Sequence, residues 1–343
     1  MDKLDKLTPD DSRIRHGYVN SNGHKWHYLD VAASTPDERG LVVLIHGFPD
    51  ISLAWRYQIP MLSALGLRCI ALDCMGYGLT GTSSNLRDFG YKNHADAVAA
   101  IAKEAGASRI ILGGHDWGGL VVYRIAQWYP DLVSHVFSVA TPFSAPMEQY
   151  VSTEQLVNGP LPQFGYQLQF GSEDHRVEKV LQGKSLIRKF LSGMYGGKLA
   201  SGKTVMVPET GVDLEAMADE KDEVKMTALL NDEELDYYVD QFAVNGVEGP
   251  CNWYRLRKVN WEDEKAMPVS QRAGIQQPVL FVQATYDSVL RPEMSKGMEK
   301  AIPNLTRGEV PSSHWALWHN GNKTNEIIKE WFEGVVFGGK SKL

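Results

Sequence analysis

The sequence predicts an α/β fold: a mostly parallel, doubly wound sheet that carries an inserted helical domain. Two observations lead there. Short, almost wholly apolar runs alternate with helical stretches at both ends of the chain, and one interval between consecutive runs is far longer than a crossover requires. The runs are LVVLI (41–45), RCIALD (68–73), RIIL (109–112), VFSVA (136–140) and PVLFVQ (278–283). Nearly continuous apolarity reads as strands covered on both faces, the usual state of parallel strands.

Between these runs, NHADAVAAIAKEAG (93–106) has helical periodicity and ends at Gly106, a residue suited to the left-handed position that closes a helix. The opening segment RIRHGYVNSNGHKWHYLDVA (13–32) instead alternates about Asn22-Gly23. It predicts an antiparallel hairpin at one edge of the sheet. The long interval runs from Pro142 to Pro278, many times the dozen or so residues a crossover needs. Within it, SLIRKFLSGMYGG and LNDEELDYYVDQFAV read as helices and no strong strand signal occurs. The expected organisation is a core built from residues 1–144 and 259–343, with a helical cap over residues 145–258.

The chain has 343 residues, 43% hydrophobic and 22% charged, an ordinary globular balance. A net charge of -7 argues against a nucleic-acid binder, whose phosphate contacts need clustered lysine and arginine. Cys69, Cys74 and Cys251 are too few and too scattered for a disulfide framework or a zinc knuckle. His24 and His27 lie three apart just after the hairpin turn and read as surface-strand histidines rather than metal ligands, and neither a metal nor a cofactor is expected. The N-terminal residues are charged and lack an apolar leader, and no apolar run approaches the roughly 18 residues of a membrane span. A soluble, unsecreted protein is expected. The terminal Ser341-Lys342-Leu343 has the form read by the peroxisomal import receptor, which makes peroxisomal or cytoplasmic residence the expectation.

The chemistry centres on RIILGGHDWGGLVVYRIAQWYP (109–130). Asp116 stands between Gly114 and Gly118, after a strand and before an apolar helix, as the central residue of a nucleophile elbow does. Helix capping alone would also account for an aspartate before Trp117, but a cap does not call for glycine on both sides. Serine attacking an sp3 carbon would leave an ether, whereas a carboxylate leaves an ester that water can cleave through its own carbonyl. With an ordinary pKa of about 3.9, Asp116 is ionised at neutral pH without help from a base. Aspartate at this apex therefore points to alkyl transfer.

Cleaving that ester requires a base for water and a carboxylate to orient the base, and in this kind of fold both follow the nucleophile, acid before histidine. Asp287 lies just after the strand PVLFVQ, where the bland alternative is a loop turn, and His314 lies in VPSSHWALWH, where it is a packed histidine. By position, the backbone N–H groups of Phe48 and Trp117 form the oxyanion hole. His46 and His115 are read as structural, and Asp73 as a loop-organising carboxylate.

HGFPD, GHDWGG, TYDSVLRP and SSHW, in this order around a helical insertion, resemble soluble epoxide hydrolases of the α/β-hydrolase fold, in their single-module form. The resemblance covers the chain from about residue 15 to about residue 335. It implies hydrolysis of an apolar epoxide to a vicinal diol, with two cap tyrosines that hold and protonate the ring oxygen. FGYQLQF supplies Tyr166 and CNWYRLR supplies Tyr254. Haloalkane and haloacetate dehalogenases share the aspartate nucleophile and are the nearest alternative. Trp117 is compatible with dehalogenation, although haloacetate enzymes tend to carry arginine there; Phe48, where haloalkane enzymes tend to carry asparagine, and the tyrosine pair lean to epoxides. A ligand receptor on the same fold is a second alternative, since fold does not fix function.

Overall fold

The computed structural model describes residues 4–219 and 221–338; the Ser341-Lys342-Leu343 ending lies outside them. The chain divides into two compact units. One comprises the described residues of Met1–Cys74, Tyr91–Pro146 and Ala266–Leu343, and the other Met75–Gly90 with Met147–Lys265.

In chain order the strands are β1 (Arg15–Ser21), β2 (His24–Val31), β3 (Gly40–Ile45), β4 (Leu67–Leu72), β5 (Ile110–His115), β6 (Val133–Val139), β7 (Met206–Val207), β8 (Gly211–Val212), β9 (Val279–Ala284) and β10 (Leu305–Val310). Eight of them form the sheet of the first unit, ordered β1-β2-β4-β3-β5-β6-β9-β10. The hairpin β1–β2 is antiparallel, as its alternating sequence requires, and β2 is antiparallel to β4. Asn22 and Gly23 take φ values of 50° and 80°, the double left-handed geometry of a tight hairpin turn. The remaining pairs are parallel. Parallel neighbours need crossovers, which α1 (Gln58–Ala64), α2 (Tyr91–Glu104) and α3 (Trp117–Trp128) provide in turn after β3, β4 and β5. At the end of α2, Gly106 has φ 69° and donates to Lys103 O while Ala107 donates to Ala102 O, a Schellman closure.

Strand β5 continues beyond the apolar run at 109–112, through Gly113 and Gly114 to His115. Glycine pairs favour turns, but packing decides here. A Cβ on Gly113 would stand 2.2 Å from Phe137 Cζ and one on Gly114 2.3 Å from Gly118 O. Every residue of β5 and β9 is buried, so the carboxyl ends of these strands emerge from a close-packed interior. That rigidity fixes the turn that follows β5.

The second unit is largely helical, with its longer helices at Gly183–Met194 and Asp232–Asn245. Asn231 opens the latter with a capping box: its side chain accepts from Glu234 N, and Glu234 Oε2 accepts from Asn231 N. The pair β7–β8 also lies here, each strand too short to leave a readable alternation. Met75–Gly90 belongs to this unit although it precedes the expected boundary at residue 145. Trp253 Nε1 donates to Met75 O at 3.1 Å and Asn245 Nδ2 to Gly78 O at 2.9 Å. Arg87 pairs with Glu262 and Asp263. The helix Arg257–Lys265 likewise carries the unit past the expected boundary at 258. Among the described residues, no helix is long and apolar enough to cross a membrane.

Backbones touch where Gly76, at φ 89°, meets Gly249: a Cβ on Gly76 would stand 2.7 Å from Gly249 Cα. Gly76→Ala therefore introduces both left-handed strain and a backbone clash, and is expected to lower stability by about 1–3 kcal/mol. Urea denaturation measures this, and an unchanged midpoint would contradict it.

Candidate active site

Asp116 lies between β5 and α3 with φ 54° and ψ -125°. A non-glycine residue in such a conformation costs on the order of 1–3 kcal/mol and persists only where its surroundings over-determine it. The surroundings are close. Thr141 Oγ1 donates to Asp116 O at 2.6 Å, and Gly119 N donates to the same oxygen at 2.9 Å. A Cβ on Gly118 would lie 2.1 Å from Ile45 O, and one on Gly47 2.3 Å from Asp116 Oδ1. Glycine at 47, 114 and 118 thus lets the loop after β3 and the start of α3 close around the carboxyl group.

That carboxyl group receives the donors expected from sequence. Phe48 N donates to Asp116 Oδ1 at 2.8 Å, and the Trp117 N–H also donates to the carboxyl. Its other oxygen, Oδ2, lies 3.5 Å from His314 Nε2. His314 Nδ1 donates to Asp287 Oδ2 at 2.7 Å, and Asp287 Oδ1 accepts from Val289 N at 2.8 Å and Leu290 N at 2.9 Å. Asp287 thereby fixes both the orientation and the tautomer of the imidazole, with Nε2 turned toward Asp116. The structure brings together Asp116, His314, Asp287, Phe48 and Trp117, residues scattered over most of the sequence.

Tyr166 and Tyr254 meet in the second unit, their ring centroids 5.7 Å apart at an interplanar angle of 77°. Both are buried. Tyr166 is on the helix Gly165–Phe170, and Tyr254 on the turn Trp253–Arg255. Phe170 stacks on Tyr254 at 5.2 Å, and Gln167 Nε2 donates to the Tyr166 hydroxyl at 3.3 Å. Nearby, Arg255 forms a partly buried pair with Glu178 at 2.6 Å and donates to Ser172 O. Arg255 stands in CNWYRLR next to Tyr254, but nothing in the sequence marks its pairing with Glu178.

An epoxide hydrolase from Neurospora crassa, srdG, is 36% identical to this chain over 345 residues, covering 96% of the chain and 98% of that protein. The chain belongs to the epoxide hydrolase family. A family model described as the alpha/beta hydrolase fold matches residues 40–192. The bifunctional epoxide hydrolase 2 of Mus musculus is 31% identical over 94% of this chain, and the match spans 56% of the mouse protein. Among solved structures, an epoxide hydrolase from an endophytic Streptomyces superposes with a TM-score of 0.77 at 24% identity, covering 95% of this chain and 97% of that one, a likeness of fold.

In this family member the charges near Asp116 are balanced by one imidazole. Burial raises the Asp116 carboxyl above its ordinary value, opposed by His314 and by the Phe48 and Trp117 N–H groups. Burial also works against ionised Asp287, yet His314 and the two backbone donors hold it below the ordinary range. For His314, burial disfavours the imidazolium, but Asp287, Asp116 and Asp50 outweigh it and raise the group from 6.5 to about 9. Because the folded value of His314 exceeds the ordinary one, the stabilisation contributed by its protonation is fully present below pH 6.5. That contribution is lost as pH rises through about 9.

Asp50, in the HGFPD loop, is the contributor that sequence reasoning assigned no role; its full burial is visible only in the fold. His46 and His115 are buried and held low, at about 4 and about 3, chiefly by desolvation. His115 Nε2 donates to His314 O at 2.9 Å, so a neutral ring holds the backbone of the histidine beside Asp116. Asp73 accepts from Ser52 N at 2.8 Å and His27 Nδ1 at 2.6 Å, tying together the loops after β3 and β4. Asp116→Asn removes one of the anions around His314, so its imidazole should lose its proton at lower pH than in the unaltered protein. NMR titration of the His314 ring carbon tests this, and an unchanged midpoint would contradict the charge assignment.

Proposed function

We propose that the protein hydrolyses apolar epoxides to vicinal diols through an ester on Asp116. The observation that carries the reading is a carboxylate on a strained turn, met by two backbone N–H donors on one side and a histidine–carboxylate pair on the other. Asp116 Oδ2 attacks a ring carbon and the carbon–oxygen bond of the epoxide breaks. The ring oxygen takes a proton from Tyr166 or Tyr254, because a leaving alkoxide that stays attached is strongly basic. Oδ1, the oxygen held by Phe48, remains the carbonyl oxygen of the ester.

Esterification then changes the electrostatics. Asp116 loses its charge, so one of the anions that raise His314 disappears; the imidazolium gives up its proton to solvent while the tyrosinate regains one, and the imidazole is then a neutral base. Nε2 takes a proton from water while the hydroxide oxygen bonds to Cγ of Asp116. The charge that develops on Oδ1 is met by the N–H groups of Phe48 and Trp117, donors already in place before reaction. Collapse expels the diol oxygen, which takes the proton of the newly formed carboxyl group, so that a neutral diol leaves and the carboxylate is regenerated beside the imidazolium that Asp287 stabilises. No step calls for a metal or cofactor.

His314→Gln should complete the first half and stall in the second, leaving the Asp116 peptide heavier by the mass of the epoxide. An unmodified peptide after exposure to an epoxide whose binding has been verified would contradict the scheme. Replacing Tyr166 and Tyr254 together by Phe should slow ester formation by about 10²–10⁴-fold, the range of general acid catalysis, and leave the hydrolysis of a preformed ester little changed. Rapid-quench measurement of both steps decides, and equal slowing of the two would contradict the assignment.

A further inference from the structure

The peptide unit joining Gly47 to Phe48 is hydrogen-bonded at both ends. Its N–H donates to Asp116 Oδ1 at 2.8 Å, and its carbonyl, Gly47 O, lies 2.8 Å from His46 Nδ1. The second ring nitrogen settles which way that bond runs. His46 Nε2 is 3.0 Å from the backbone nitrogen of Cys74, a group that can only donate. Nε2 must therefore present its lone pair, the proton of the neutral ring resides on Nδ1, and Nδ1–H donates to Gly47 O. The ring is buried with 1% of its surface exposed, and Cys74 is fully buried, so water does not substitute for either bond.

We propose that His46 is a positioning residue for ester hydrolysis: by donating to Gly47 O it polarises the amide and strengthens the Phe48 N–H as donor to the oxyanion on Asp116. The inference rests on the ester mechanism above. It extends that mechanism by one residue, since the neutral imidazole acts through the peptide and touches no reacting atom. It also gives the buried, uncharged state of His46 a purpose. A ring that held a second proton on Nε2 would lose the Cys74 contact, and with it the orientation of Nδ1 toward the carbonyl.

The two half-reactions should respond differently. Before attack, the Phe48 N–H holds the nucleophile and slightly damps it; during hydrolysis it stabilises the developing charge. Removing a whole oxyanion donor costs about 10²–10³-fold in rate, and a neighbouring hydrogen bond strengthens a donor by roughly 10–30%. Loss of the His46 bond should therefore slow hydrolysis about two- to eightfold, while leaving alkylation unchanged or slightly faster.

Two substitutions separate the ring nitrogens. In His46→Asn the amide nitrogen is attached to Cγ, as Nδ1 is, and can still donate to Gly47 O. In His46→Gln the amide oxygen sits where Nε2 was and can accept from Cys74 N, but Gly47 O loses its donor. Single-turnover quench with an aryl epoxide gives both rates. The proposal expects slower hydrolysis in the Gln variant alone, with near-unaltered rates in the Asn variant. Gly47-Phe48 is the single Gly-Phe pair in the sequence, so carbonyl-labelled glycine with ¹⁵N-labelled phenylalanine isolates the Phe48 amide signal. Its proton should move upfield in the Gln variant and stay in place in the Asn variant. Equal hydrolysis rates in all three proteins would overturn the proposal, as would both steps slowing together in both variants. So would an ¹⁵N spectrum of the unaltered protein showing the His46 proton on Nε2, a test that requires no variant to fold. Absence of any ester adduct, in the unaltered protein and in His314→Gln, would instead overturn the ester mechanism itself.

Discussion

Close approach of backbone to backbone around Asp116 is the constraint on which the rest of the site depends. Three glycines make it possible, and a Cβ at any of them would fall within 2.3 Å of a neighbouring atom. The carboxyl is thereby held at the end of a fully buried strand, in a conformation it would not adopt unaided, with backbone donors already aimed at it. Strain at Asp116 and rigidity beneath it are two sides of one arrangement. The sheet supplies the rigidity, since β5 is flanked by β3 and β6 and buried along its whole length.

On that frame the electrostatics form a small switch. One imidazole, raised to about 9, faces three carboxylates that keep it protonated in the resting protein. Such a histidine is a poor base, but it is a good counter-ion for a carboxylate that stays ionised despite burial, as the proposed nucleophile must. In the proposed mechanism, esterification of Asp116 would remove one of the anions and release the imidazole for its second task. The buried neutral rings of His46 and His115 add no charge to this balance. They hold backbone, one at Gly47 O and the other at His314 O, and so fix the groups whose charges do change.

Much of this was legible in the sequence because it is local. Apolar runs, the Asn22-Gly23 turn and the glycines bracketing Asp116 each mark a conformation within a few residues, and chain order then relates Asp116 to Asp287 and His314. Other features were hidden because they depend on long-range packing. The apolar run ends at Leu112, yet Gly113 and Gly114 extend β5, since what excludes a side chain there is Phe137 in one case and Gly118 in the other. Met75–Gly90 gives no sign that it belongs with the helical unit, because its ties run to Asn245, Trp253 and Asp263. The tautomer of His46 depends on Cys74, which is remote in sequence, and nothing in CNWYRLR indicates that Arg255 pairs with Glu178.

In the proposed mechanism water cleaves an ester on Asp116 and never touches the epoxide ring. A single turnover in ¹⁸O-labelled water, with protein in excess over an aryl epoxide, tests it most directly. The account predicts diol carrying ordinary oxygen and label incorporated into the peptide containing Asp116. Label appearing in the diol of that first turnover, with none in the peptide, would contradict it.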